Sequence, residues 1–460
     1  MVAPIEVLYV FTARKRRLLA GVAAGTDPDT LLFGLNQLRA DPNHGVARWE
    51  APSPVAVDFH EPTFGRIGRA AMAAVGRLGP DAVQLRTLPH FVGRDVVFLT
   101  GGWPLLFASR LIPAGRRPRM VWLNMTLTNL LRRGGPRAGV IAGAARLADR
   151  IVCVSADQQA FLMRRLGLPA SRLPVVLNGT DARFFSPELA GSPTSAATSD
   201  GPHLPSPYDG PNNNPKPRVA PPPAPGVPPP QPRPPSRRGT SIRWANENAA
   251  RHGGGTTTRD TARHGDGRAS TTSAQSPEAT RERGYVLAAG RDAARDYRTL
   301  AEALAGTGHR AVVVCSRANL DGVTLPAGVD VRFDVPPATL RELYGRATVV
   351  VVPTRGDGDP VGSDCSGTLV TLDALAMGRP VVVTARASVP EYVTPGVHVT
   401  TVPAGDVAAL RLAINEAMAP DRATATSAAD QARAGQAHVR SGRTTDHFAA
   451  GIAQVFREVA

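Results

Sequence analysis

The chain has 460 residues, 42% of them apolar, which is enough for two globular domains with cores of their own. Its net charge of +15 suits an anionic partner, or reflects an arginine-rich composition throughout. Cys153, Cys315 and Cys365 lie too far apart for a metal-ligand spacing or a disulfide framework, and no apolar run reaches the roughly 18 residues that cross a bilayer.

The N-terminus shows no signal-peptide pattern. Residues 6–11, EVLYVF, read as a short buried strand. A basic loop follows, Arg14-Lys15-Arg16-Arg17. It either faces the cleft, where it attracts phosphates or an anionic acceptor, or forms a surface patch that is solvated or touches anionic lipid. Asp27-Pro28-Asp29-Thr30 opens a helix, with Leu31, Leu32, Leu35 and Leu38 at helical spacing and Asp29 or Thr30 as its cap. Strands are expected at 55–59, 96–99, 120–123 and 151–154, with helical patterns between them, for example at 64–78 and 138–147. Such alternation builds a parallel α/β sheet, and the first lobe closes near Phe185.

The next stretch is of different material. It holds proline runs at 221–223 and 228–230, low-complexity triplets such as Gly253-Gly254-Gly255, and almost no Leu, Ile, Val or Phe. Too little apolar surface is present to offset chain entropy, so 188–283 is expected to be a disordered insert; docking of a proline-motif partner is its functional alternative. Order resumes at 285–289, YVLAA. Strands are expected at 311–315, 329–333, 348–352, 380–384 and 399–402, and helices at 297–304, 337–344 and 367–377. Residues 444–459 put Phe448, Ile452, Val455 and Phe456 on one helical face. The expected plan is an N-terminal domain 1–187, the insert 188–283, a second domain 284–435 and a C-terminal helix 436–460. Two Rossmann-like α/β domains would face a cleft, with ligand at the carboxyl ends of the strands.

Two segments carry chemistry. After the strand ending near Pro353, a Gly- and Asp-rich loop leads to Ser366-Gly367-Thr368-Leu369, which opens a helix bearing Asp373. A helix start offers free N–H groups and the positive end of a dipole, a site for a diphosphate. Gly367 permits close approach, and Asp373 suits the hydroxyls of a ribose. An ordinary βαβ crossover with a capped helix explains the same residues. The second segment, Gly290-Arg291-Asp292-Ala293-Ala294-Arg295-Asp296, follows directly on a strand. Its arginines either neutralise a leaving nucleoside diphosphate or pair with Asp292 and Asp296 on a solvated turn.

Together the motifs resemble a family. The segments ADRIVCVSA from Ala148, LGL from Leu166 and VVLNGTDARFF from Val175 look like the end of the acceptor domain of group 1 glycosyltransferases, the retaining, glycogen-synthase-like enzymes. The Gly290-Arg291 turn, LDALAMGRPVV from Leu372 and Val389-Pro390-Glu391 resemble their donor domain. The likeness covers 121–187 and 285–418. It implies a GT-B fold, no required metal or cofactor, and a UDP- or GDP-sugar as donor; the acceptor is a glycan, a lipid or a small molecule. Arg291 matches the diphosphate arginine, and Arg295 stands one residue short of the usual lysine, where Asp296 lies. Gly290, Ser366, Gly367, Thr368 and Leu369 match the phosphate-contacting backbone, and Asp373 the ribose carboxylate.

Two departures stand out. The first carboxylate of the family's pair falls at Cys365, which cannot accept hydrogen bonds as a carboxylate does; Asp364 beside it is the substitute, with Asp357 and Asp359 in the same loop. The family's histidine is absent from Leu123-Asn124-Met125-Thr126, where Asn124 or Thr126 is left to orient substrate. The expectation is a cytoplasmic transferase, with contact at the inner membrane face as an option. A relative that binds nucleotide sugar without turnover is the alternative. An epimerase on the same frame comes third, and nucleic-acid binding last, since no recognised module appears.

Overall fold

The computed structural model describes residues 5–11, 15–39, 55–60, 80–190, 284–359, 361–419 and 422–460. The first sheet holds β1 (Ile5–Val10), β2 (Val55–His60), β3 (Val96–Leu99), β4 (Arg119–Leu123) and β5 (Arg150–Val152) in the order β2-β1-β3-β4-β5. The second holds β6 (Tyr285–Ala289), β7 (Ala311–Cys315), β8 (Val329–Phe333), β9 (Ala347–Val352), β10 (Val381–Thr384) and β11 (Thr400–Val402) in the order β11-β10-β9-β6-β7-β8. Every pairing is parallel.

Parallel sheets need cover on both faces, which is why central strands such as VVFL and ATVVVV read as continuous apolar runs. Along β1, Val7, Tyr9 and Phe11 enter one core, while Leu8 and Val10 enter the other. The second sheet is sandwiched likewise between two cores.

The chain crosses between the lobes twice, side by side. The Thr180 N–H donates to the Arg443 carbonyl at 2.9 Å, and the Thr445 N–H returns to Thr180 at 2.9 Å. After the second crossing, the helix Thr445–Val459 lies on the first sheet, burying Phe448, Ile452, Val455 and Phe456, with Phe456 edge-on to Tyr9 and Phe98. The stretch 436–460 thus contains the end of the helix Arg422–Gly442 as well as this one.

Several local expectations differ from the structure. The basic run is not all loop, since the helix Lys15–Ala23 begins inside it; Arg14 lies outside the described residues. Lys15 turns inward, 6% exposed, donating to the Leu31 carbonyl at 2.8 Å and lying over the Phe11 and Phe33 rings. A carbonyl and two ring faces meet its ammonium. Asp29 and Thr30 cap no helix: Asp29–Leu32 is a 3-10 turn, Asp29 is buried, and the Thr30 hydroxyl accepts the Asp181 N–H at 3.2 Å. The helix expected at 64–78 lies outside the described residues, as does the insert beyond the turn Pro187–Leu189. Among the described residues no helix is long and apolar enough to cross a membrane.

Candidate functional site

The site forms at the carboxyl ends of β6, β9 and β10. Strand β6 runs into Gly290, whose φ is 144°; a Cβ there would fall 2.2 Å from Arg295 Nε. Glycine is therefore needed to let Arg295 fold back. The following aspartates serve the backbone, not the arginines. Asp292 accepts the N–H of Ala294 at 2.8 Å and of Ser363 at 3.1 Å. Asp296 caps the helix Tyr297–Leu304 through the Thr299 N–H at 3.1 Å.

The two arginines diverge. Arg291 is hydrogen-bonded to Asp334, just past β8. Arg295 is 5% exposed and its backbone bridges Thr354, just past β9. Among the described residues its Nε and Nη1 have no hydrogen-bond acceptor, and Nη1 lies 3.3 Å from where a Cβ on Gly367 would stand. Gly367 itself, at φ 91°, precedes the helix Thr368–Ala376, whose first turn has no side-chain cap. A Cβ on Gly367 would also come within 2.7 Å of Val352 Cγ1.

Around this helix start lies a hollow lined by Thr354, Ser366, Gly367, Thr368, Thr384 and Arg386, among others. Arg386 is oriented by Asp357, which takes its Nε at 3.1 Å, and its Nη1 is buried without an acceptor among the described residues. The hydroxyls of Ser366 and Thr354 are buried and likewise unpaired among the described residues. Buried polar groups normally have partners, and each unsatisfied one costs about 1–3 kcal/mol. Guanidinium nitrogens can only donate, so what suits this cluster is a ligand rich in acceptors and negative charge.

The remaining expected residues lie elsewhere. Asp364, 8% exposed, meets Arg132 of the first lobe at 2.6 Å; burial raises its pKa, which Arg132 opposes. Ser363 Oγ reaches the Met125 carbonyl at 3.3 Å, so this loop is tied to the first lobe. The Cys365 thiol is 3.0 Å from Ser363 Oγ, and burial pushes its pKa up to about 11. It stays a neutral thiol, unlike a carboxylate. Asp373 points away from the hollow and accepts a hydrogen bond from Thr180 at the crossing; burial lifts its pKa to about 8, with Asp181 adding to the rise. Leu369 is half-buried and does not line the hollow. Asn124 is fully buried, with its amide on Thr128 at 3.0 Å and Gln158 at 3.2 Å, and its oxygen accepts the Leu127 N–H. Its hydrogen bonds are spent inside its own lobe.

The structure thus gathers Gly290, Arg295, Ser366, Gly367 and Thr368, and separates Arg291, Asp364 and Asp373 from them. Sequence reading missed Thr354, Thr384 and Arg386. Thr384 ends a strand, and Thr354 and Arg386 each stand two residues past one; that position at the carboxyl edge was the available signal. Val389-Pro390-Glu391 joins the lobes: Glu391 accepts the Ala156 N–H at 2.6 Å, and the Tyr392 hydroxyl donates to the Val154 carbonyl at 2.5 Å.

Comparison with known proteins bears on this arrangement. The family model for glycosyl transferases of group 1 matches residues 286–420, from β6 through the helix Val407–Met418. No curated protein matches the chain. Among solved structures, sucrose-phosphate synthase from Thermosynechococcus elongatus is similar at 14% identity over 99% of this chain and 98% of that one, with a TM-score of 0.54. HepE from Anabaena in complex with UDP-glucose has the same identity over 99% of this chain and 100% of its own, with a TM-score of 0.54. A glycosyltransferase from Rickettsia africae is 10% identical over 100% and 99% of the two chains, with a TM-score of 0.50. At such identities the likeness establishes the fold. The chain therefore has the two-lobed GT-B fold, and its second lobe matches the group 1 glycosyl transferases.

Proposed function

We propose that the chain is a glycosyltransferase that takes a sugar from a UDP- or GDP-sugar and passes it to a glycan, lipid or small-molecule acceptor with retention of anomeric configuration. The observation that carries this reading is the cluster of unpaired donors at the start of the helix Thr368–Ala376: Arg295, Arg386, Ser366 and Thr354 around Gly367. A nucleoside diphosphate supplies the acceptors they lack. HepE, bound to UDP-glucose in its crystal structure, favours uridine as the base.

In this mechanism the guanidiniums and helix start hold the pyrophosphate and stabilise the charge that grows on it as the glycosidic bond breaks. The leaving phosphate takes the proton of the acceptor hydroxyl on the face it departs from, so no side-chain base is required. Neutralisation by protein cations takes the place of a metal ion. Residues 1–187 act as the acceptor side, 188–283 as an insert, 284–435 as the nucleotide-sugar domain and 436–460 as the closing helical segment. Free Cys153, Cys315 and Cys365 suit the reducing cytoplasm.

A second reading, nucleotide-sugar binding without turnover, is favoured by Cys365 at the place of a carboxylate and by the fully engaged Asn124. Calorimetric titration with UDP and GDP tests binding, and product analysis with UDP- and GDP-sugars separates the two readings. Arg295→Ala is expected to lower turnover at least about tenfold, equivalent to about 1.4 kcal/mol. Unchanged turnover would remove Arg295 from the site, and absence of any nucleotide binding would remove the proposal.

A further inference from the structure

The positive charge of the chain is concentrated. Residues 86–172 carry fourteen arginines, three aspartates and no lysine or glutamate, a net +11 of the chain's +15. Large apolar side chains stand exposed in the same stretch: Leu111 is 81% exposed, Val140 49% and Phe107 41%. They share one surface. The Phe107 ring tip lies 3.7 Å from where a Cβ on Gly143 would stand, one helical turn from Val140. Leu111 follows Phe107 by about a turn, and Arg110 between them donates to the Leu147 carbonyl at 2.7 Å, fastening the segment to the end of the helix Gly135–Ala145. Arg137, exposed, stands one helical turn before Val140, and exposed Arg116 follows Leu111 by five residues.

A leucine left so open to water gains nothing within the fold, and apolar patches of this kind mark contact sites. Arginine alone would suit any polyanion. Arginine interleaved with exposed Leu, Phe and Val suits a surface that is anionic outside and apolar just beneath. We propose that this face of the first lobe docks on an anionic lipid bilayer, with Leu111 and Phe107 entering the headgroup boundary and the arginines meeting lipid phosphates. This docking is independent of what the second lobe binds.

The test is sedimentation of the full chain with vesicles of phosphatidylcholine alone, or containing roughly a third phosphatidylglycerol, at low and high salt. Binding is expected only to the anionic vesicles and should weaken as salt rises. Leu111→Ser should weaken it by about tenfold or more, since full burial of a leucine is worth roughly that or better. Arg110→Ser combined with Arg116→Ser should flatten the salt dependence, while Arg433→Ser, on the remote helix Arg422–Gly442, should change nothing. Equal binding to neutral vesicles, no binding to either, or full binding by Leu111→Ser would overturn the proposal. So would tight binding of single-stranded RNA that is indifferent to Leu111→Ser. UDP titration of Leu111→Ser, expected to match the wild type, verifies its folding. Failure of UDP to bind even the wild type would count against the transferase reading and leave this one standing.

Discussion

Arg295→Met should strengthen the fold while weakening the site. Arg295 is 5% exposed, and two of its guanidinium nitrogens have no acceptor. Methionine keeps the apolar stem and removes the buried donors. At about 1–3 kcal/mol for each unsatisfied group, the variant should gain on the order of 1 kcal/mol or more in stability without nucleotide, a rise of a few degrees in Tm. Charge-assisted hydrogen bonds contribute about 1.5–3 kcal/mol each, so UDP should bind roughly ten- to a hundredfold more weakly. The two effects cross in a single assay. Nucleotide at about a hundred times the wild-type Kd should stabilise the wild type by about 2.7 kcal/mol, and the variant by about half of that or less. A variant that melts earlier than the wild type, yet keeps its affinity for UDP, would show that Arg295 is a structural strut, and the reasoning would fail.

Other outcomes follow from the same geometry. Asp373, with a pKa of about 8 in the fold and near 3.9 unfolded, binds its proton more tightly in the native state. Its contribution therefore costs stability as pH rises from about 4 to about 8, and Asp373→Asn should flatten that part of a Tm–pH profile, with Asp29 (raised by burial and by Asp181) retaining a slope of its own. Gly367→Ala forces a side chain into φ 91° and against Val352; strain of about 1–2 kcal/mol should lower Tm, and weaker UDP binding should accompany it in calorimetry. Asp364→Asn leaves Arg132 without its closest carboxylate and should cost on the order of 2 kcal/mol. A double-mutant cycle with Arg132→Met should then return a coupling above about 1 kcal/mol, and strict additivity would dismiss the pair as a link between lobes.

The strands were legible because buried parallel strands are written as β-branched runs between Gly and Pro. The last helix was legible because Phe448, Ile452, Val455 and Phe456 repeat at helical spacing. Its docking partner was not, since an amphipathic stripe shows that a face is covered but not by what. The helix Arg422–Gly442 left almost no apolar pattern; it packs through small residues, with Gly435 set against Leu375. At the site, sequence put two arginines at one strand end and could not say which would turn to the helix start. That choice depends on the conformation of Gly290 and on Asp334, which is remote in sequence and takes Arg291 away. Asp373 was placed in the correct helix but on an unknown azimuth, and Thr180 claimed it.

The helix that completes the first lobe belongs, in chain order, to the far side of the second. While the chain is being made, Tyr9 and Phe98 therefore lack part of their cover until nearly all of the described sequence has emerged. A ribosome-bound first lobe would present a greasy sheet face to chaperones through most of translation. The two halves also mature as one unit, because the closing segment of the earlier half arrives only after the later half has been built.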